Sequence, residues 1–221
     1  MGHEWWGNYL SVADWSDFWI HEGFDTYSEV LFIEEKYGWD NAVGFVKDRF
    51  KNNIKNEFPI IMGANGTSHH ASGTDVYYKG AYILHMLRYI IGDKVFKSSL
   101  KEFIEMPKKL GENQTSTKEF ISLLNENTNS DLQWFFDIYL YKNELPVLNI
   151  KETKDKNHRF VDLWWENKNF KMPVEISYDG IDGKIRRRLE INNEPKRVAF
   201  LKGSKYRLDP DSWLLFSKNR R

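Results

Sequence analysis

A chain of 221 residues with 32 Lys and Arg against 32 Asp and Glu carries no net charge, so its electrostatics favour neither nucleic acid nor an anionic membrane surface. It has no cysteine, which excludes a disulfide framework and thiol chemistry, and no stretch approaches the roughly 18 apolar residues of a membrane span. Nine Trp within an aromatic share of 16% provide large core residues and would also suit a peptide-binding cleft.

From the N-terminus, Ser16 or Asp17 can cap a helix running to Tyr37, with Gly38 as its stop. Phe18, Phe24, Tyr27, Val30 and Leu31 recur along it at helical spacing. Glu22 lies one turn beyond Phe18 on that stripe, so a carboxylate points inward and needs a partner, of which a metal is one kind. A second helix is predicted from about Trp39 to just before Pro59, and the Gly-, Asn-, Ser- and His-rich stretch 59–74 reads as a loop. A third helix over 74–91 carries Tyr77, Tyr78, Ala81, Ile83, Leu84, Leu87 and Ile91 and is expected to be largely buried. Helices follow near 93–105, 116–127 and 130–143, the second opened by a capping box of Ser116 and Glu119.

After Asn143 the pattern changes to short strands at 147–150, 160–164, 174–178, 185–191, 198–201 and 213–216, with turn signals at Asp179-Gly180 and Asp182-Gly183. These predict a small antiparallel sandwich, with Pro146 at the hinge or at the start of its first strand. The run from Lys184 to Arg188 alternates basic with apolar residues and reads as a solvated strand face. The fold class is therefore α+β in two domains, 1–144 helical and 145–221 a β-sandwich.

Six segments carry a resemblance: His3-Glu4-Trp5-Trp6-Gly7-Asn8, Trp19-Ile20-His21-Glu22-Gly23-Phe24, Asp75-Val76-Tyr77-Tyr78-Lys79-Gly80-Ala81, Trp134 to Leu140 followed by Pro146, Met172-Pro173-Val174, and Leu208 to Trp213. In this order they resemble the zinc aminopeptidases related to aminopeptidase N, over nearly the whole chain. The resemblance implies that 1–144 is the helical half of a thermolysin-like catalytic domain. In that family a helical H-E-x-x-H motif sets two imidazoles one turn apart, and a Glu ligand follows the second after eighteen intervening residues. Counted from His3, that spacing ends on Glu22.

By resemblance, His3 and Glu22 are zinc ligands and Tyr77, in the Y-x-K-G segment, donates to the oxyanion of the tetrahedral intermediate. Glu4 and His21, beside the ligands, and Lys79 are candidates for groups that orient them. The first imidazole and the general-base Glu would precede residue 1, and the family's G-x-M-E-N clamp for the substrate amine is absent. The implied activity is zinc-dependent release of N-terminal residues from peptide substrates, with this chain alone inactive until the upstream part of the same protein completes the site. The alternative is a non-catalytic binding or scaffold module that keeps the fold. A location in the cell envelope or periplasm follows from the resemblance, with the cytoplasm open. The His69-His70 pair could catch a metal, although adjacent imidazoles in a loop read as solvated. A shortened first helix is expected to leave Phe18, Tyr27 or Leu84 in water and the chain prone to self-association.

Overall fold

The computed structural model describes residues 2–68, 73–106, 113–181 and 183–220, and the chain divides into two units, Met1–Glu144 and Leu145–Arg221. The first helix, α1 (Trp19–Tyr37), begins later than the capping pattern predicts. No side chain caps α1 at Phe18; Asp14 instead caps the tight 3-10 turn over Trp15–Asp17 that precedes it, its carboxylate accepting from the Ser16 amide at 2.8 Å. Asp17 is drawn away to accept from the Thr117 amide at 3.1 Å. At the other end Gly38, with φ +87°, stops the helix in a conformation that disfavours a side chain.

The helix predicted to reach Pro59 stops far short. It divides into α2 (Trp39–Phe45) and a wide π turn over Val46–Lys51. Asn53 then takes over a helical carbonyl, donating from its amide to the Arg49 oxygen at 2.9 Å, and the amides of Lys55 and Asn56 are bound by the Asp75 carboxylate at 3.0 and 2.6 Å. Side-chain partners thus outcompete the continuing ladder. The remaining helices are α3 (Asp75–Ile91), α4 (Asp93–Glu105), α5 (Thr117–Thr128) and α6 (Gln133–Tyr139). Ser116 caps α5 by accepting from the Glu119 amide at 3.3 Å, whereas the Glu119 carboxylate accepts from the Thr115 hydroxyl at 2.9 Å, so only half of the predicted box forms. α6 ends before 143 because the carbonyls of Lys142 and Asn143 serve the side chains of Lys79 and Asn56. A two-residue parallel pair, β1 (Ser11–Val12) with β2 (Gln114–Thr115), is too short to leave a periodic signal and was not expected.

α1 crosses α3 at two glycines. A Cβ on Gly23 would stand 2.9 Å from the Gly80 carbonyl carbon, and one on Gly80 would stand 3.1 Å from the Gly23 Cα. Each glycine costs its helix about 1 kcal/mol relative to alanine, so the contact is kept against local propensity. Around it Trp19, Phe24, Phe103, Phe120 and Phe136 make a continuous aromatic core, with Phe103 and Phe120 rings 4.8 Å apart. Tyr27 and Leu84 are buried at 1% and 0% exposure and Phe18 is half-buried, so the predicted exposure of these side chains does not occur. α3 and α4 supply the cover, as in the edge-to-face contact of Tyr27 with Phe96 at 5.6 Å.

The second unit carries β3 (Val147–Lys154), β4 (His158–Trp165), β5 (Val174–Gly180), β6 (Gly183–Leu189), β7 (Lys196–Leu201), β8 (Tyr206–Leu208) and β9 (Ser217–Arg220). They form a four-stranded sheet, β7-β4-β3-β9, and a three-stranded sheet, β6-β5-β8. Phe200 of the first sheet meets Tyr178 and Tyr206 of the second at 4.9 and 5.4 Å, and buried Trp165 donates to the Met172 carbonyl at 2.7 Å. All pairings are antiparallel except β3 with β9, which are parallel. The strand expected at 213–216 is irregular. Asp209 and Ser212 take left-handed φ of 51° and 55°, and the Asp209 carboxylate binds the Trp213 and Leu214 amides at 2.7 and 3.1 Å, diverting the backbone until Ser217. Pro146 stands directly before β3, and its carbonyl accepts from the Ser217 amide at 3.0 Å. Lys184 to Arg188 are exposed, with Arg186 paired to Asp211 at 2.6 Å and to Glu175. Among the described residues no helix is long and apolar enough to cross a membrane.

Candidate functional site

A 3-10 turn over Gly2–Glu4 sets His3 against α1. His3 Nδ1 lies 3.1 Å from the Trp6 carbonyl oxygen. A carbonyl only accepts, so Nδ1 carries the hydrogen and a neutral ring leaves its Nε2 lone pair available. That Nε2 is 3.6 Å from Glu22 Oε2 and 3.3 Å from Asp25 Oδ2. Two donors each about 2.1 Å from a tetrahedral zinc stand about 3.4 Å apart, so His3 and Glu22 have the separation of neighbouring ligands. Among the described residues no set of three His, Cys, Asp or Glu side chains is disposed to hold a metal. The pair fits zinc as part of a site.

Glu22 is buried, which pushes its carboxyl above the usual range; Asp25 adds to this, and His3 and the Tyr77 hydroxyl oppose it. Tyr77 donates its phenolic hydrogen to the Glu22 carboxylate and is 38% exposed, so an incoming molecule can reach it. Burial, followed by the Glu22 charge, holds this phenol above its ordinary value, and it remains a donor at neutral pH. The two side chains meet because Glu22 directly precedes Gly23 and Tyr77 lies one turn before Gly80, where α1 and α3 cross. Against the first turn of α3 a cleft of about 510 Å³ opens, lined by Phe58, Pro59, Ile60, Met62 and Val76 among others.

The other sequence candidates are placed differently. His21 accepts from the Val12 amide through Nε2 at 3.1 Å, which fixes β1 on α1; burial and then His3 keep it below the usual imidazole range. Glu4 is exposed. Lys79 is fully buried and donates to the Lys142 carbonyl at 3.1 Å, so it ties α3 to the segment after α6 instead of orienting a ligand. His69 and His70 lie outside the described residues. Asp25 is the site residue that the sequence argument passed over, although its position three residues after Glu22 already put it on the same helical face.

Burial pushes the Lys79 ammonium down to about 8 from an ordinary 10.5, against the pull of Asp75. Because the folded value is the lower one, the unfolded chain holds the extra proton between these values, and stability rises with pH across that window. The rise attributable to Lys79 is expected to reach about 3 kcal/mol. Urea unfolding of the wild type and Lys79→Met from pH 7 to 10.5 checks this: the difference between them should change over that range, and a constant difference counts against a buried charged lysine.

The description Peptidase family M1 domain fits residues 1–139. Aminopeptidase N of Lactococcus lactis subsp. lactis is 25% identical over 210 residues, which are 87% of this chain and 24% of that protein. Glutamyl aminopeptidase of Sus scrofa is 26% identical over 160 residues, 69% of this chain and 17% of that one. The chain thus spans about a quarter or less of the length of these curated relatives. Among solved structures it resembles Legionella pneumophila aminopeptidase A in complex with aspartic acid, with a TM-score of 0.79 and 19% identity over 99% of this chain and 26% of that one. It also resembles a variant M1 zinc metallopeptidase of Deinococcus radiodurans bound to a Tyr-Ser-Ala substrate, at 0.55 and 24% over 66% and 32%. At these identities the structural likeness establishes the fold.

Proposed function

Because this chain belongs to peptidase family M1, we propose that it carries part of a zinc aminopeptidase centre that releases N-terminal residues from peptides. The observation behind this is the meeting of His3 Nε2, the Glu22 carboxylate and the Tyr77 hydroxyl at one place. His3 and Glu22 would hold the zinc, which when bound supplies a Lewis acid for the scissile carbonyl and an acidified water. Trp6 fixes the His3 tautomer, and Glu22 keeps the Tyr77 hydroxyl oriented beside the metal position. As the substrate carbonyl gains negative charge, that hydroxyl turns its hydrogen to the oxyanion. The apolar cleft at the start of α3 would exclude water from one substrate side chain.

In this reading the third ligand and the general base come from beyond residues 1–221. Two protein ligands hold zinc weakly, so residues 1–221 alone are expected to bind it no tighter than micromolar and to show no turnover. Calorimetric zinc titration and an aminoacyl chromogenic substrate test this on residues 1–221 and on the same chain preceded by a segment supplying a His-Glu pair. The longer chain is expected to bind zinc tightly and to turn over, and Tyr77→Phe in it should lower kcat about a hundredfold. Unchanged kcat in the Phe variant removes Tyr77 from the mechanism. Robust activity from residues 1–221 unaided would overturn the division of the site.

A further inference from the structure

We infer that Gly23 and Gly80 are positioning residues for the candidate site, because their backbone contact sets the separation at which Tyr77 meets Glu22. The inference rests on the proposed role of those two side chains. Neither glycine has positive φ, so backbone freedom does not explain them. What they provide is proximity. A methyl group on Gly23 would lie 2.9 Å from the Gly80 carbonyl carbon, 3.0 Å from its Cα and 3.2 Å from the Val76 carbonyl oxygen. These are backbone atoms within helices, so a side-chain rotation cannot relieve the clash and the two axes must move apart. A methyl on Gly80 meets the Gly23 Cα at 3.1 Å, a milder overlap that a few tenths of an ångström relieves.

Glu22 adjoins one glycine and Tyr77 stands a single turn from the other, so any widening passes directly into their hydrogen bond. Hydrogen bonds weaken steeply once the heavy atoms part by more than about 3.2 Å, so this pair tolerates little displacement. Gly44 in α2 is the internal comparison: a Cβ there has nothing within 4 Å. Alanine at Gly44 should leave the site untouched, alanine at Gly80 should loosen it, and alanine at Gly23 should loosen it most.

A double-mutant cycle of Glu22→Ala with Tyr77→Phe, read by urea unfolding of this chain without metal, measures the contact itself. In the wild-type and Gly44→Ala backgrounds the coupling is expected to change the unfolding constant about five- to tenfold. In Gly80→Ala it should shrink, and in Gly23→Ala it should fall to no effect. Full coupling retained in both Gly80→Ala and Gly23→Ala, whatever their overall stability, would overturn the positioning role and leave the glycines as packing residues. If Gly23→Ala does not fold, the Gly80→Ala cycle decides the matter. Absent coupling in the wild type would overturn the inference at its premise, and since no zinc or substrate is present, the proposed peptidase activity would still be open to its own test.

Discussion

Replacing Trp19 by alanine is expected to destabilise the helical unit by about 3–5 kcal/mol, enough to leave it largely unfolded at mild denaturant concentrations. Trp19 has no exposure and lies between Phe24 and Phe120, whose ring centroids are 5.3 and 6.3 Å from its own. Its indole nitrogen donates to the Thr117 hydroxyl at 2.8 Å, so truncation opens a cavity and also strips a buried hydroxyl of its donor. Trp19→Phe keeps most of the volume and loses only the bond, and should cost about 1–2 kcal/mol. Urea unfolding followed by far-UV circular dichroism separates the two contributions. Equal losses in the Ala and Phe variants would mean that the hydrogen bond, and not the volume, carries the contribution.

The second large effect is expected at Arg88. Its guanidinium is 5% exposed and grips Glu34 bidentately, at 2.5 and 2.8 Å, while also pairing with Asp93 and lying 5.2 Å from the Trp39 ring. Glu34 and the buried Tyr27 hold its proton more firmly than usual, outweighing the opposing effect of burial. Removing one partner of such a pair leaves the other uncompensated, so Arg88→Met should cost about 3–5 kcal/mol. Adding Glu34→Gln to that variant removes the stranded charge and should recover part of the loss, which a thermodynamic cycle will show as strong coupling. Additive losses would mean that the pair is screened by solvent and contributes little.

The sequence made the long elements legible because their signals repeat. α1, α3, α4 and α5 each bury a stripe at helical spacing, and the strands β3 to β7 alternate or run apolar between turn signals. Where one carboxylate redirected the backbone, the pattern misled: Asp14 capped a 3-10 turn ahead of α1, Asp75 bound the amides after Lys51, and Asp209 displaced the final strand to Ser217. These effects depend on partners distant in the chain and leave no local period. At the site, the spacing to Glu22 and the segment around Tyr77 pointed to the residues that meet, whereas Lys79 and Glu4 were adjacent in sequence to the chemistry without being adjacent in space. The glycine contact that joins α1 to α3 was likewise invisible, because a glycine inside a helix reads only as a weak helix former.

The parallel pairing of β9 with β3 bears on when the sandwich unit can fold. Val147, at the start of its first strand, is held by Ser217, near the last residues described. During synthesis β3 can zip to β4 as soon as that strand emerges, but its other edge stays open until some seventy residues later the ribosome has delivered 217–220. Closing so long a loop carries an entropic cost and slows the final step. Meanwhile a bare strand edge is available to any neighbouring nascent chain. The opportunity for misassembly therefore lasts from the emergence of β3 until 217–220 have followed it, and slower elongation across these residues is expected to lengthen it.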